Sequence, residues 1–181
     1  MVSTRQSTEV SPESDEGPEV LSLPTYAPGR NALGAHAALT GTFLLAFGGS
    51  LIAARRAGKR PPQRLGPWDA TTAGMATHKI ARLIAKDKVT SFVRAPFVSS
   101  QEPDGQGEVS SEPRGRGLQF AIGELLTCPY CLGQWVSAAL GVGMVAAPRL
   151  TRLLTFVYTA ETIGDFLQLA YLAAEERAST G

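Results

Sequence analysis

The sequence predicts an all-α integral membrane protein with about three transmembrane helices and a cytoplasmic amphipathic helix. Charged residues are concentrated in the N-terminal and central parts of the 181-residue chain, whereas three long stretches contain almost none. A central stretch repeats basic and apolar residues with helical spacing. The net charge of +1 indicates no nucleic-acid partner, and two cysteines exclude a disulfide framework.

The N-terminal segment, residues 1–31, is acidic and rich in serine, threonine and proline. It has too little apolar surface to offset the entropy lost on ordering, so we predict a disordered tail. It also lacks the basic start and short apolar core of a secretory signal peptide.

Two stretches are long and apolar enough to cross a membrane. Residues 32–54 contain no charged side chain, and at ~1.5 Å per helical residue they cover roughly 35 Å, against a hydrocarbon core of about 30 Å. Residues 125–147 are equally free of charge, although Pro129 moves the expected helix start to Tyr130 or Cys131.

A third apolar stretch, residues 153–174, contains Glu161 and Asp165. Each acid costs roughly 2.5 to 3.5 kcal/mol at mid-membrane, which cancels most of the gain from the apolar residues. The short link before this stretch suggests insertion as a hairpin with the second span, with both acids turned inward. The alternative is an amphipathic helix on the membrane surface. Residues 175–181 then form a short tail.

Basic residues predict the orientation. A cluster follows the first span directly: Arg55, Arg56, Lys59, Arg60 and Arg64. We therefore expect a multi-pass protein of the cell inner membrane, with the central region and the C-terminus in the cytoplasm and the N-terminus outside.

The central stretch, residues 71–87, is predicted to be a basic amphipathic helix. One face carries His78, Lys79, Arg82 and Lys86, and the other face is apolar. Such a helix would lie at the headgroup boundary and bind anionic lipid. The alternative is the solvated face of an ordinary packed helix. Residues 99–117, rich in glycine, serine and proline, are predicted to be a flexible linker.

Cys128-Pro129-Tyr130-Cys131 is the most specific short motif. One interpretation is structural, with small buried thiols at a helix start. A second is redox, with Cys128 as attacking thiol, Cys131 as resolving thiol and Glu124 as a base. A third is a zinc or iron site formed by Cys128, Cys131 and His78, or by thiolates of two chains, because one chain offers too few ligands.

Two blocks of residues together carry a family resemblance. The first contains Thr77-His78-Lys79, Arg82, Asp87-Lys88-Val89-Thr90 and Arg94-Ala95-Pro96-Phe97, and the second runs from Gly123 and Glu124 through the two cysteines to Trp135. They resemble a family of small bacterial membrane proteins classified as a domain of unknown function, which includes a sporulation-associated protein. The resemblance implies an inner-membrane protein without established catalytic residues, cofactor or substrate.

We therefore expect a non-enzymatic membrane or assembly component. Its expected partners are the lipid bilayer, anionic lipid at the basic helix, and a second copy or another membrane protein. Three alternatives remain: a membrane thiol-disulfide oxidoreductase, a metal-binding membrane protein with a thiolate site shared between chains, and a transport element that uses Glu161 and Asp165.

Overall fold

The computed structural model describes residues 30–62, 64–105 and 107–180. The predicted acidic tail therefore lies outside the described residues, except for its last two positions. The described chain is mostly helical and contains one β-hairpin: α1 Arg30–Arg56, α2 Pro67–Ala85, α3 Ser91–Arg94, β1 Val98–Pro103, β2 Val109–Pro113, α4 Leu118–Thr127, α5 Pro129–Ala146 and α6 Pro148–Thr180. Single 3-10 turns, Lys88–Thr90 and Ala95–Phe97, flank α3.

Helix α2 is the centre of the helical bundle. Its residues Ala76, Ala81 and Ala85 are buried and pack with Leu132, Val136 and Leu140 of α5. The small alanine side chains let neighbouring helices approach closely. The apolar face of α2 is therefore covered by the protein's own helices, as in the alternative of an ordinary packed helix, and its contact with a membrane surface stays a prediction.

The start of α2 also differs from the predicted position, Thr71. The helix begins four residues earlier, at Pro67, where the fixed φ of proline suits the first helical turn. The Asp69 carboxylate accepts a hydrogen bond from the backbone N–H of Gly66 at 3.0 Å. This bond satisfies a donor at the N-terminus of the helix.

Helices α1 and α5 run in the same direction. Near the start of α1, His36 contacts Glu124 of α4, just before α5 begins. Two turns further along α1, the ring of Phe43 meets Trp135 of α5 edge to face, at a centroid distance of 5.2 Å. Glu124 lies four residues before the N-cap of α5, so residue numbers rise together from the start of each helix, and α1 and α5 run in the same general direction.

Helices α2 and α6 are parallel to each other and opposite in direction to α5. The hydroxyls of Thr159 and Thr162 donate hydrogen bonds to the backbone carbonyls of Thr72 and Met75. A tight turn reverses the chain between α5 and α6, where a Cβ on Gly143 would lie 2.5 Å from the Thr151 hydroxyl oxygen.

Length and hydropathy identify fewer membrane-spanning candidates than the three predicted. Among the described residues, only α1 is long and apolar enough by itself, and α4 with α5 qualifies as a pair that bends by 86° between Thr127 and Pro129. The third predicted span lies within α6, which does not qualify. Two acidic residues in the middle of α6 lower its hydropathy.

The predicted linker is not an open loop. Its strands β1 and β2 pair antiparallel, with Glu102 opposite Ser110. Gly105 and Gly107 adopt positive φ values of 82° and 84° in the connection, which favours glycine. The hairpin is also attached to α2, because the Val109 N–H donates to the Lys86 carbonyl at 2.8 Å. Glycine- and serine-rich composition indicated flexibility here, whereas these residues build a turn.

Candidate functional site

The motif residues form two separate clusters. The first, which we call the α2 network, surrounds the second half of α2 and contains Lys79, Arg82, Asp87, Thr90 and Arg94. The second, which we call the thiol groove, surrounds the start of α5 and contains His36, Glu124, Cys128, Cys131 and Trp135. All but one of these residues belong to the motifs described above. The exception is His36, whose pairing with Glu124 the sequence did not predict, and the sequence did not predict the capping role of Thr90 either.

Arg94 closes the C-terminal end of α2. Its side chain is completely buried, and its guanidinium donates hydrogen bonds to the carbonyls of Ile84 at 2.5 Å and Asp87 at 3.0 Å. Thr90 accepts a further bond from Arg94 and donates to the Leu83 carbonyl. A cation at this position satisfies terminal carbonyls and complements the helix dipole. Burial lowers the pKa of Arg94 from its ordinary value.

Arg82 joins α2 to the β-hairpin. Its guanidinium binds Glu108 with two parallel hydrogen bonds, Nε to Oε1 at 2.8 Å and Nη2 to Oε2 at 2.7 Å. This fork geometry is stronger and more directional than a single ion pair. Lys86 and Asp104 form a longer contact of 3.5 Å at the same interface.

Lys79 joins α2 to α6. Its Nζ lies 2.8 Å from Asp165 Oδ2 and 3.7 Å from Glu161 Oε1, and its side chain is only 13% exposed. Asp165 is thus turned toward α2. At Asp87, burial raises the carboxyl pKa.

The thiol groove begins where α4 turns sharply into α5. Cys128 is the N-cap residue of α5, and its Sγ accepts a hydrogen bond from the Cys131 N–H at 3.2 Å. Pro129 occupies the first helical position, as its fixed φ favours. Both cysteines are free thiols; Cys131 is exposed and Cys128 is partly buried.

A histidine-glutamate pair lies in the same groove. His36 Nε2 and Glu124 Oε2 are 2.7 Å apart, and both side chains are partly buried. Together with the two thiols they line a groove of about 780 Å³ between α1 and the α4–α5 bend. Sequence reasoning missed this pairing, although a histidine inside an apolar stretch is itself a signal that a polar partner is needed.

The structure does not bring the two clusters together around a metal. His78 is exposed on α2, and the described residues contain no group of three or more histidine, cysteine or acidic side chains placed to hold a metal ion. A zinc or iron site that includes Cys128, Cys131 and His78 stays a prediction, and it would need ligands from a second chain.

A second groove, of about 800 Å³, lies at the other end of the bundle. Its lining is mostly apolar and comes from the segment before α2 and from α2, α5 and α6, with Trp68, Met144 and Phe156 among the large side chains. Asp69 and Arg152 are its charged lining residues. This groove offers apolar surface rather than reactive groups.

Comparison with known proteins confirms the family resemblance. A family model described as "Protein of unknown function (DUF1360)" matches residues 73–171. The UPF0713 protein YngL of Bacillus subtilis (strain 168) is 29% identical over 86 residues, which cover 46% of this chain and 62% of that protein. Sporulation protein YjcA of the same strain is 30% identical over 97 residues, which cover 52% and 82%. No solved structure matches.

Proposed function

Since the chain belongs to the DUF1360 family of proteins of unknown function, which supplies no reaction, we propose that it is a multi-pass inner-membrane protein of bacteria. We propose further that it acts as a non-enzymatic component that assembles with other membrane subunits. A sporulation role is stated in the name of one relative and is not extended to this chain.

The exposed apolar surface of α1 carries the proposal. Only 6% of the most apolar 18-residue stretch of α1 is buried. Leu44 and Leu45, at its centre, are 61% and 78% exposed. Monomeric soluble proteins rarely expose apolar patches of this size. Lipid tails or the apolar helices of a partner would cover this surface.

Helix α6 supports a multi-pass arrangement. Many of its large exposed side chains are apolar and include Phe156, Phe166, Leu167 and Tyr171, although Glu161 and Gln168 are exposed as well. Its threonines and Asp165 instead contact α2. A helix with polar groups toward the protein and apolar groups outward suits a lipid environment. Membrane insertion of α5 and α6 as a hairpin follows from the tight turn between them.

The basic face of α2 supports a lipid interaction less well than the cluster after α1. Lys79, Arg82 and Lys86 are engaged by carboxylates of the same chain. The five basic residues between positions 55 and 64 are exposed. We therefore assign the proposed contact with anionic headgroups to this cluster, at about 1 kcal/mol per cation.

Membrane extraction of the full chain tests the proposal. The protein should stay in the pellet after alkaline carbonate washing and dissolve only in detergent. Leu45→Arg places a charge at the centre of α1 at a cost of roughly 2.5 to 3.5 kcal/mol, so its membrane-bound fraction should fall several-fold. Ala57→Arg, just beyond the helix, is the matched control and should behave like the native chain. A native protein released by carbonate would overturn the proposal.

The assembly part of the proposal has a separate test. Crosslinking in native membranes, followed by denaturing electrophoresis, should give a discrete species that contains this chain and a second copy or another membrane protein. A chain that migrates as a monomer after crosslinking and after gentle detergent extraction would contradict assembly, while leaving membrane insertion intact.

One observation favours a second candidate function. Cys131 has an exposed thiol beside a groove, and its backbone N–H donates a hydrogen bond to the Sγ of the N-cap residue, Cys128. This arrangement suits a thiol-disulfide oxidoreductase better than a purely structural pair, which would be buried. Against this candidate stands the cytoplasmic location that the basic residues predict for the motif, because the cytoplasm is reducing.

A further inference from the structure

The directions of the helices bear on the side of the membrane that the thiol groove faces. The two candidate spans are α1 and the α4–α5 pair, and α1 and α5 run in the same direction. No other candidate span lies between them among the described residues. Two consecutive parallel spans require a crossing between them. In the described part of the intervening chain only α2 is long enough, since its 19 residues cover about 28 Å.

We propose that α2 crosses the membrane in the direction opposite to α1, so that the thiol groove opens on the extracytoplasmic side. There, Cys128 and Cys131 exchange disulfides with extracytoplasmic proteins. The proposal rests on the membrane location proposed above, and it differs from the prediction that the whole central region is cytoplasmic.

The charges of α2 are compatible with a crossing because the protein compensates them internally. Lys79 lies within α2, is mostly buried and pairs with Asp165 and Glu161 of α6. Arg82, one turn further, binds Glu108 of the hairpin. Charged residues within membranes characteristically face the bundle interior and pair with one another. Helix α5 covers the buried alanines of α2, and α6 covers α2 where its threonine hydroxyls donate to α2 carbonyls.

The distribution of basic residues identifies the cytoplasmic end. The end of the bundle formed by the C-terminus of α1 and the α5–α6 turn carries seven exposed basic residues: Arg55, Arg56, Lys59, Arg60, Arg64, Arg149 and Arg152. At the hairpin end Arg94 is buried and Arg82 and Lys86 are paired with acids. Four further basic residues are exposed there, Lys88, Arg114, Arg116 and Arg177, against seven at the opposite end. Lysine and arginine are enriched in cytoplasmic loops. The end with seven exposed basic residues is therefore cytoplasmic, and the hairpin end faces outward.

This orientation removes the main objection to thiol chemistry. Disulfides form and persist outside the cytoplasm. The Cys128 thiolate attacks one sulfur of a partner protein's disulfide, which forms a mixed disulfide and releases one partner thiolate. The Cys131 sulfur then attacks Cys128, which forms the Cys128–Cys131 disulfide and releases the second partner sulfur, and this sulfur takes the Cys131 proton. The partner disulfide is reduced by two electrons and the pair is oxidised by two; the reverse sequence oxidises a partner dithiol.

Labelling with a membrane-impermeant maleimide tests the orientation. In protoplasts or spheroplasts that express the full chain, the native cysteines should be labelled from outside after treatment with an impermeant phosphine reductant, and only weakly without it. In a Cys128→Ser, Cys131→Ser background, Ser110→Cys on the hairpin should be labelled in intact cells. Ala57→Cys after α1 should be labelled only after permeabilisation. Labelling of Ser110→Cys and the native thiols only after permeabilisation would overturn the orientation.

Trapping tests the exchange. Cys131→Ser should accumulate mixed disulfides with extracytoplasmic proteins, visible as slower bands that vanish on reduction, whereas Cys128→Ser should not. Native thiols that label fully from outside without reductant, together with no adduct in Cys131→Ser, would overturn the exchange. Carbonate extraction of the same cells separates the two proposals: a washed-off protein contradicts the membrane location, and a retained protein with the wrong labelling pattern contradicts only the inference made here.

Discussion

The α2 network and the thiol groove carry the two motifs of the chain, and they are built in opposite ways. In the α2 network, Arg94 is buried and Arg82 and Lys79 are bound by carboxylates. Its polar groups are engaged in joining α2 to the hairpin and to α6. In the thiol groove, Cys131 is exposed and both thiols are free. A motif rich in charge is thus structural here, and the groups available for chemistry lie in the other motif.

The largest expected effect is at Arg94, and it would test the structural side of this comparison. Arg94→Met leaves the carbonyls of Ile84 and Asp87 without their buried donor. Charge-assisted hydrogen bonds contribute about 1.5 to 3 kcal/mol each, so the loss should be about 3 kcal/mol or more. Thermal unfolding in detergent and abundance in cells measure it. Arg116→Met, at an exposed position, is the control. A native-like midpoint for Arg94→Met would break the comparison.

The second-largest effect on stability is expected at Gly123, which belongs to the second motif and lies where α4 contacts the β-hairpin. A Cβ there would lie 2.6 Å from the Phe97 carbonyl oxygen and 3.1 Å from Pro113 Cβ. Gly123→Ala should therefore lower the free energy of unfolding by about 1 to 3 kcal/mol through overpacking. Gly133→Ala is the matched control, since its new methyl group would meet Thr77 at an ordinary 3.8 Å. Equal stability of both variants would contradict the close packing of α4.

A smaller effect is expected between α2 and α6. A double-mutant cycle with Lys79→Met and Asp165→Asn should give a coupling of about 1 kcal/mol, because Asp165 is 46% exposed and water screens the pair. A zero coupling would show that Lys79 only fills space.

The smallest effect on stability is expected at the thiol groove itself. Cys131→Ser changes an exposed side chain, so the free energy of unfolding should change by less than about 0.5 kcal/mol. Cys128→Ser should behave similarly, since serine is also a good N-cap residue. Thermal unfolding under reducing conditions measures both. If either variant lost as much stability as Arg94→Met, the cysteine pair would be structural and the contrast between the two regions would fail.

Several features of the fold could be predicted from local sequence. Residues 32–54 lie in α1, and residues 125–147 are helical except at the Cys128 bend and at Ala147, because length, low charge and apolar composition are properties of a single segment. Helix α2 was recognised from its periodicity. The start of α5 was predicted at Tyr130 or Cys131, one or two residues after its observed start at Pro129, where proline occupies the first helical position. The hairpin was missed because its pairing depends on Glu108 and Val109 reaching α2.

The sequence by itself determined that the chain is mostly helical, to which family it belongs, and that Cys128 and Cys131 share the start of a helix. These properties depend on residues close together in the chain. The tertiary structure decided that α2 is central rather than peripheral, that Lys79 meets Asp165, and that His36 meets Glu124. The last two contacts join positions more than eighty residues apart, and which helices become neighbours depends on packing and helix direction rather than on local pattern.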